Sequence, residues 1–144
     1  LSINHRNHLG VMSSTLALDS SCKVIDFSNG SLTTFGSNAQ TIFGVPSGVT
    51  ALWAGDVLGN SQIKFIGALN DGDSIKDEVL LAPGNIFNDI TYEYLGYFVD
   101  DVSMNSTAKF SGSSNDVDLI KDNVLFHPGN IFNDPTYIIV EQLP

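Results

Sequence analysis

A mostly β fold with short helices, α+β in class, is what this 144-residue chain predicts. Two observations carry that reading. Charged residues make up only 15% of the chain, and Ser, Thr, Asn and Gly supply much of its polarity. That mix suits strands and turns better than long exposed helices. Residues 56–92 also align without a gap on residues 101–137, with 24 of 37 positions identical. A unit this short rarely buries its own apolar face, so the two copies are expected to pack on each other.

In chain order, residues 1–50 read as a β-rich, sandwich-like segment. Leu9–Met12 and Lys23–Phe27 are short apolar or alternating runs bounded by Ser, Asn and Gly, the pattern of strands. Ser28-Asn29-Gly30-Ser31 is a turn signal. Ser37–Gly44 reads as one helical turn or two, with Ser37 as N-cap. Val49–Ala54 is a strand or buried run that leads into a tandem pair filling 51–144, with repeat 1 at about 51–95 and repeat 2 at about 96–140.

Each repeat is expected to run loop, helix, strand. The loops are Asp56–Gly67 and Asp101–Gly112, each with a strand-like Lys-Phe inside. The helices are Asp73–Leu81 and Asp118–Phe126, with Asp73 and Asp118 as N-caps. Ile75, Val79 and Leu80, matched by Ile120, Val124 and Leu125, form an apolar stripe at helical spacing. Pro83-Gly84 and Pro128-Gly129 stop the helices. The identical blocks Pro83–Asp89 and Pro128–Asp134 follow, and Ile86, Phe87, Ile131 and Phe132 are expected inside. Thr91–Tyr94 and Thr136–Val140 are the closing aromatic strands.

The composition, 42% hydrophobic with 10% aromatic, suffices for a core. A net charge of −10 with six basic residues argues against nucleic acid and against anionic membrane surfaces. No apolar run reaches the length needed to insert across a membrane. The chain opens at Leu1-Ser2-Ile3 without Met, so it is expected to be a mature or excised piece of a longer precursor. Cys22 is single and cannot form an intrachain disulfide; it is expected as a small buried hydrophobe.

No nucleophile elbow or phosphate loop appears. His5 and His8 are expected to be structural, and His127 is matched by Ala82 in the other copy. The chain therefore reads as no enzyme. Trp53, Tyr92, Tyr94, Tyr97, Phe98 and Tyr137 are able to stack on sugars, but at strand ends they read as core.

The polar residues that both copies keep point to a hard cation. Calcium takes six to eight oxygens from carboxylates, amides and carbonyls presented by one tight loop. The first loop offers Asp56, Asn60, the Gln62 carbonyl, Asn70, Asp71 and Asp73. The second offers Asp101, Ser103, Asn105, the Thr107 carbonyl, Asn115, Asp116 and Asp118. Counted from the first Asp, positions one, five and seven match EF-hand spacing. Leu58 stands where position three should supply oxygen, and Ser61 and Ser106 replace the turn glycine. The alternative for these residues is Asx-turns and helix capping. Ser103 makes the second loop the expected tighter site.

Leu52-Trp53-Ala54-Gly55-Asp56, followed by Lys64-Phe65, Gly67, Asn70-Asp71 and Asp73, resembles the C-terminal region of large secreted surface proteins of Bacteroidetes. His5–Met12 and the ending Glu141-Gln142-Leu143-Pro144 resemble the same family's flanks, so the likeness spans nearly the whole chain. The family's two copies are similar to dockerin and thrombospondin type-3 calcium repeats. The resemblance implies a dockerin-like repeat pair and a secreted, cell-surface, non-catalytic calcium-binding module. Two function classes follow as expectations. One is a structural or adhesive component that assembles with itself into an oligomer or filament. The other is a carbohydrate-binding or accessory domain of a secreted hydrolase, with a cell-surface glycan as partner.

Overall fold

The computed structural model describes residues 1–17, 19–43 and 48–144. Its class is α+β: short strands in two-stranded antiparallel sheets, and two helices. Strands β1 (Ser2–His5) and β2 (His8–Met12) form a hairpin turning at Arg6-Asn7, and β3 (Thr41–Phe43) pairs β4 (Val49–Ala51). Repeat 1 supplies β5 (Gln62–Lys64), α1 (Asp71–Leu81) and β6 (Tyr94–Leu95). Repeat 2 supplies β7 (Thr107–Ala108), α2 (Asp116–Phe126) and β8 (Ile138–Val140).

The repeats exchange strands. β5 of repeat 1 pairs with β8 of repeat 2, and β6 of repeat 1 pairs with β7 of repeat 2. Ile63 faces Ile139, and Tyr94 faces Ala108; the two pairings become one register when shifted by 45 residues. The helices begin and end at equivalent positions, and left-handed backbone recurs at Gly59 and Met104, Ser61 and Ser106, Leu69 and Ser114, and Asn88 and Asn133. An approximate two-fold axis therefore closes the pair on itself. The cause is the apolar stripe: Ile75, Val79, Ile120 and Val124 are fully buried in one cluster with Ile63 and Ile139. Each such side chain contributes about 1.5–3 kcal/mol on burial.

The N-terminal hairpin belongs to that core. Leu9 is buried in it, Leu9 N–H donates to the Trp53 carbonyl (2.9 Å), and Gly55 N–H donates to the Asn7 carbonyl (2.8 Å). A smaller cluster gathers Val11, Phe27 and Ala39. Among the described residues of 1–50, two separate ribbons take the place of the expected sandwich-like layers.

Several expectations are corrected. Residues 23–27 form no strand, and Val24 is 92% exposed. The expected helical turn at 37–44 is absent over its described residues, since Thr41–Phe43 pair with Val49–Ala51; Gly44 lies outside the described residues. A segment of one or two turns cannot repay helix nucleation, so strand pairing wins. Cys22 is exposed, as are its neighbours Ser21, Lys23 and Val24 in the same irregular segment.

The helices start two residues early. Asn70 and Asn115 are the N-caps, their side-chain oxygens accepting from the Asp73 and Asp118 N–H groups. Asp73 and Asp118 stand at the third helical position instead, and accept from the Asn70 and Asn115 amides. The pairing is reciprocal, but its return bond comes from the N-cap side-chain amide and not from the N-cap backbone N–H of a capping box.

The largest correction concerns the identical blocks. Ile86, Phe87, Ile131 and Phe132 are 77%, 87%, 76% and 86% exposed. The asparagines take the inside. Asn85, buried, donates to the Val79 and Asp89 carbonyls and accepts from Asp89 N–H, and Asn130 repeats this with Val124 and Asp134. Asn88 and Asn133 donate to Leu80 and Leu125 carbonyls. Orphan carbonyls at a helix C-terminus need donors, and satisfying them with side-chain amides pushes Ile-Phe to the tip of the turn. A Cβ on Gly84 or Gly129 would strike the Tyr92 or Tyr137 hydroxyl, so the Pro-Gly step also seats a ring.

Candidate cation-binding loops

Each loop is wound around two buried aspartates. In repeat 1, Asp56 Oδ1 and Oδ2 accept from Asn60 N–H (2.9 Å) and Ser61 N–H (3.0 Å). Asp71 Oδ1 accepts from Val57 (2.9 Å) and Leu58 (3.1 Å) N–H, and its Oδ2 from Lys64 N–H (2.8 Å). Repeat 2 copies this. Asp101 accepts from Asn105 and Ser106 N–H, and Asp116 from Ser103 and Lys109 N–H. Asn60 and Asn105 make Asx-turns to Gln62 and Thr107 N–H. Ser61 and Ser106, at the turn-glycine position, have φ of 63° and 69°. Holding a non-glycine there costs about 1–2 kcal/mol, which the converging carboxylate bonds offset.

The charges are crowded. Burial, opposed by its backbone donors, raises the Asp71 pKa to about 6, with Asp56 adding repulsion. Asp56 is raised by burial and by Glu141. Asp116 is raised by burial, with Asp101 a lesser cause. Asp100, missed in the sequence, is buried beside them and raised to about 6 by burial and then by Glu78. Its counterpart is Gly55, so no repeat signal marks it.

The two loops differ in counter-charge. Arg6, at the N-terminal hairpin tip, lies 3.6 Å from Asp101 Oδ2, and that carboxylate is 1% exposed. The guanidinium also donates to the Phe98 carbonyl (2.9 Å) and covers the Tyr97 ring at 3.4 Å. For Asp56 and Asp71 no ion pair is present among the described residues. Sequence spacing gave no sign of Arg6, which sits 95 residues away.

The remaining expected ligands are scattered. Asp73 and Asp118 point to solvent and pair with Lys76 (2.6 Å) and Lys121 (2.5 Å); both are held below the ordinary carboxylate range, first by those lysines. They stand apart from the buried pairs and leave the candidate ligand set. Asn60, Gln62, Ser103 and Asn105 lie exposed along the loops, and Thr107 is half-buried. Among the described residues no three His, Cys, Asp or Glu side chains group as metal ligands. Trp53 is buried, donating to the Asn38 carbonyl and packing on His127, which stacks on Tyr137. No described helix is long and apolar enough to cross a membrane. Searches of protein-family models, curated proteins and solved structures return no match for this chain.

Proposed function

We propose that this chain is a calcium-stabilised, non-catalytic structural or adhesive module of a secreted cell-surface protein. The observation that carries the reading is the buried Asp56–Asp71 pair, which holds a left-handed loop and makes no ion pair among the described residues. The donor chemistry suits calcium. An ionised carboxylate has about four lone-pair sites, so Asp56 with two N–H donors and Asp71 with three both retain capacity. Asn60 and the Gln62 carbonyl supply further oxygens, and solvent completes the count at an exposed loop. Bound calcium would neutralise the pair; the residues themselves orient the backbone whether or not it is present.

Repeat 1 is the tighter site on this reading, the reverse of the order the sequence suggested. Ser103 adds an oxygen to repeat 2, but Arg6 beside Asp101 occupies the place of the attracting charge, and a cation pays like-charge repulsion there. Thermal melts in calcium against a chelator test the proposal. Binding only the folded form stabilises it by about 2.7 kcal/mol at a hundredfold excess over Kd. An unmoved melt would refute the calcium reading and leave the loops as hydrogen-bonded turns.

A further inference from the structure

The hairpin turn at residues 5–8 brings three metal-ligating atoms together. His5 Nδ1 and His8 Nδ1 lie 2.9 Å apart, and both face Asn7 Oδ1, at 3.1 and 2.7 Å. The identity of that oxygen is fixed, because Asn7 is fully buried and its Nδ2 donates to the Val99 (2.7 Å) and Asp101 (2.8 Å) carbonyls. Asn7 Oδ1 is therefore an acceptor only.

A single imidazole proton shared by the two other atoms as a three-centre bond serves two of the three contacts. With one imidazole proton in the triangle, the bare Nδ1 of the other ring sets its lone pair against that of Oδ1. With two protons, two N–H donors are forced against each other at 2.9 Å. With none, three lone pairs converge. A cation bound to all three atoms would use every lone pair at once. Atoms separated by 2.7, 2.9 and 3.1 Å lie on a circle of radius about 1.7 Å, so a point about 2.1 Å from each, the usual metal–imidazole distance, exists just off their plane.

We propose that His5, Asn7 and His8 form a second cation site, selective for a borderline divalent transition metal such as zinc or copper. Two imidazoles and one amide oxygen suit those ions, whereas calcium wants many oxygens and no nitrogen. Arg6 is held by Asp101 and the Tyr97 ring; its charge weakens the site without blocking it. The two histidines also line a mainly apolar cavity of about 380 Å³ with Val102, Met104 and Leu119, at the junction of the hairpin and repeat 2.

The test is calorimetric titration of Zn²⁺ into the intact, tag-free chain carrying Cys22→Ser, which removes the one exposed thiol. One equivalent should bind saturably, a large excess of Ca²⁺ should not compete, and His5→Ala should weaken binding at least about tenfold. His5 is only half-buried, so circular dichroism should show that variant folded; His5→Gln substitutes if it is not. Cu²⁺ electron paramagnetic resonance should show coupling to two imidazole nitrogens, reduced to one in the variant. No saturable binding up to about 1 mM overturns the site, as does binding that persists in His5→Ala or follows His127→Gln instead.

Discussion

Loop 1 (residues 56–67) and loop 2 (residues 101–112) share a backbone but not a charge balance. Both wrap their N–H groups around a pair of buried carboxylates, and both hold Ser in a left-handed turn. Among the described residues, only loop 2's buried aspartates have an ion-pair partner, Arg6, delivered from the opposite end of the chain. The difference separates two jobs that calcium does together in such loops. Ordering the backbone is done here by the aspartates alone; neutralising them is done by a tethered guanidinium in one loop and left undone in the other. The first breaking point is the ordering job. Asp71→Ala strips acceptors from three backbone N–H groups and Asp116→Ala from two. At about 1–3 kcal/mol per buried orphan donor, urea denaturation should show losses of about 3–5 kcal/mol for Asp71→Ala and somewhat less for Asp116→Ala. Equal and small losses would mean that the loops hold themselves.

Arg6→Met tests the neutralising job. It leaves Asp101 buried without its partner, and breaking a buried pair on one side is costly; two retained N–H donors moderate this to about 2–3 kcal/mol. The same variant should make loop 2 respond to calcium as loop 1 does, read as a second calcium-dependent increment in the melt. A variant that loses stability but gains no calcium response would show Arg6 to be a packing residue whose charge is incidental.

How much of this was legible follows from which forces act locally. The helices, the loops and the equivalence of the repeats were readable, because Ile75, Val79, Ile120 and Val124 recur at helical spacing and the copies keep register. The N-cap was misplaced by three residues because Asn and Asp stand at both 70 and 73, and only geometry decides which amide turns inward. Arg6 was invisible to spacing, since Coulomb attraction carries no sequence signature. The Asn7 triangle was equally hidden. The histidines were read as structural, and spacing alone does not show that a two-residue turn sets them opposite each other. The exchange of β6 and β8 between the repeats was unreadable too, as both pairings satisfy the same alternation.

Acid should sharpen the contrast in charge. Asp71 and Asp100 have folded pKa values raised to about 6, so between pH 6 and 4 the folded chain binds more protons than the unfolded one. Their contribution makes stability rise as pH falls through that window. His8, lowered to about 4 from 6.5, acts in the opposite sense, since the unfolded ring takes the proton first. Asp56 and Asp116 are raised as well and His127 is lowered, so four carboxylates stand against two imidazoles and the chelated protein should gain stability from pH 7 to pH 5. Saturating calcium should abolish the Asp71 share, and Asp71→Asn should flatten the rise more than Asp116→Asn does. A calcium-free melt that falls steadily from pH 7 would show that the buried histidines, His8 and His127, govern the balance.

The smallest expected effect lies in the longest run that the repeats share without change, the seven residues 83–89 and 128–134. Identity between copies reads naturally as core, and Phe87 as core would cost about 3–5 kcal/mol on truncation to Ala. The structure divides the block differently: Asn85 is buried with three hydrogen bonds, while Phe87 is 87% exposed. Phe87→Ala and Phe132→Ala should therefore change stability by no more than about 0.5 kcal/mol, as exposed substitutions do. Asn85→Ala is the internal control, because it orphans the Asp89 N–H and removes one of the two donors to the Val79 carbonyl, and it should lose about 1–2 kcal/mol. Repeat 2 must give the same pair of answers with Phe132 and Asn130, since the two blocks make matching bonds. A loss above about 1 kcal/mol for Phe87→Ala would place its ring in a packed site. A difference between Phe87 and Phe132 would show that the two-fold equivalence of the repeats stops short of these tips.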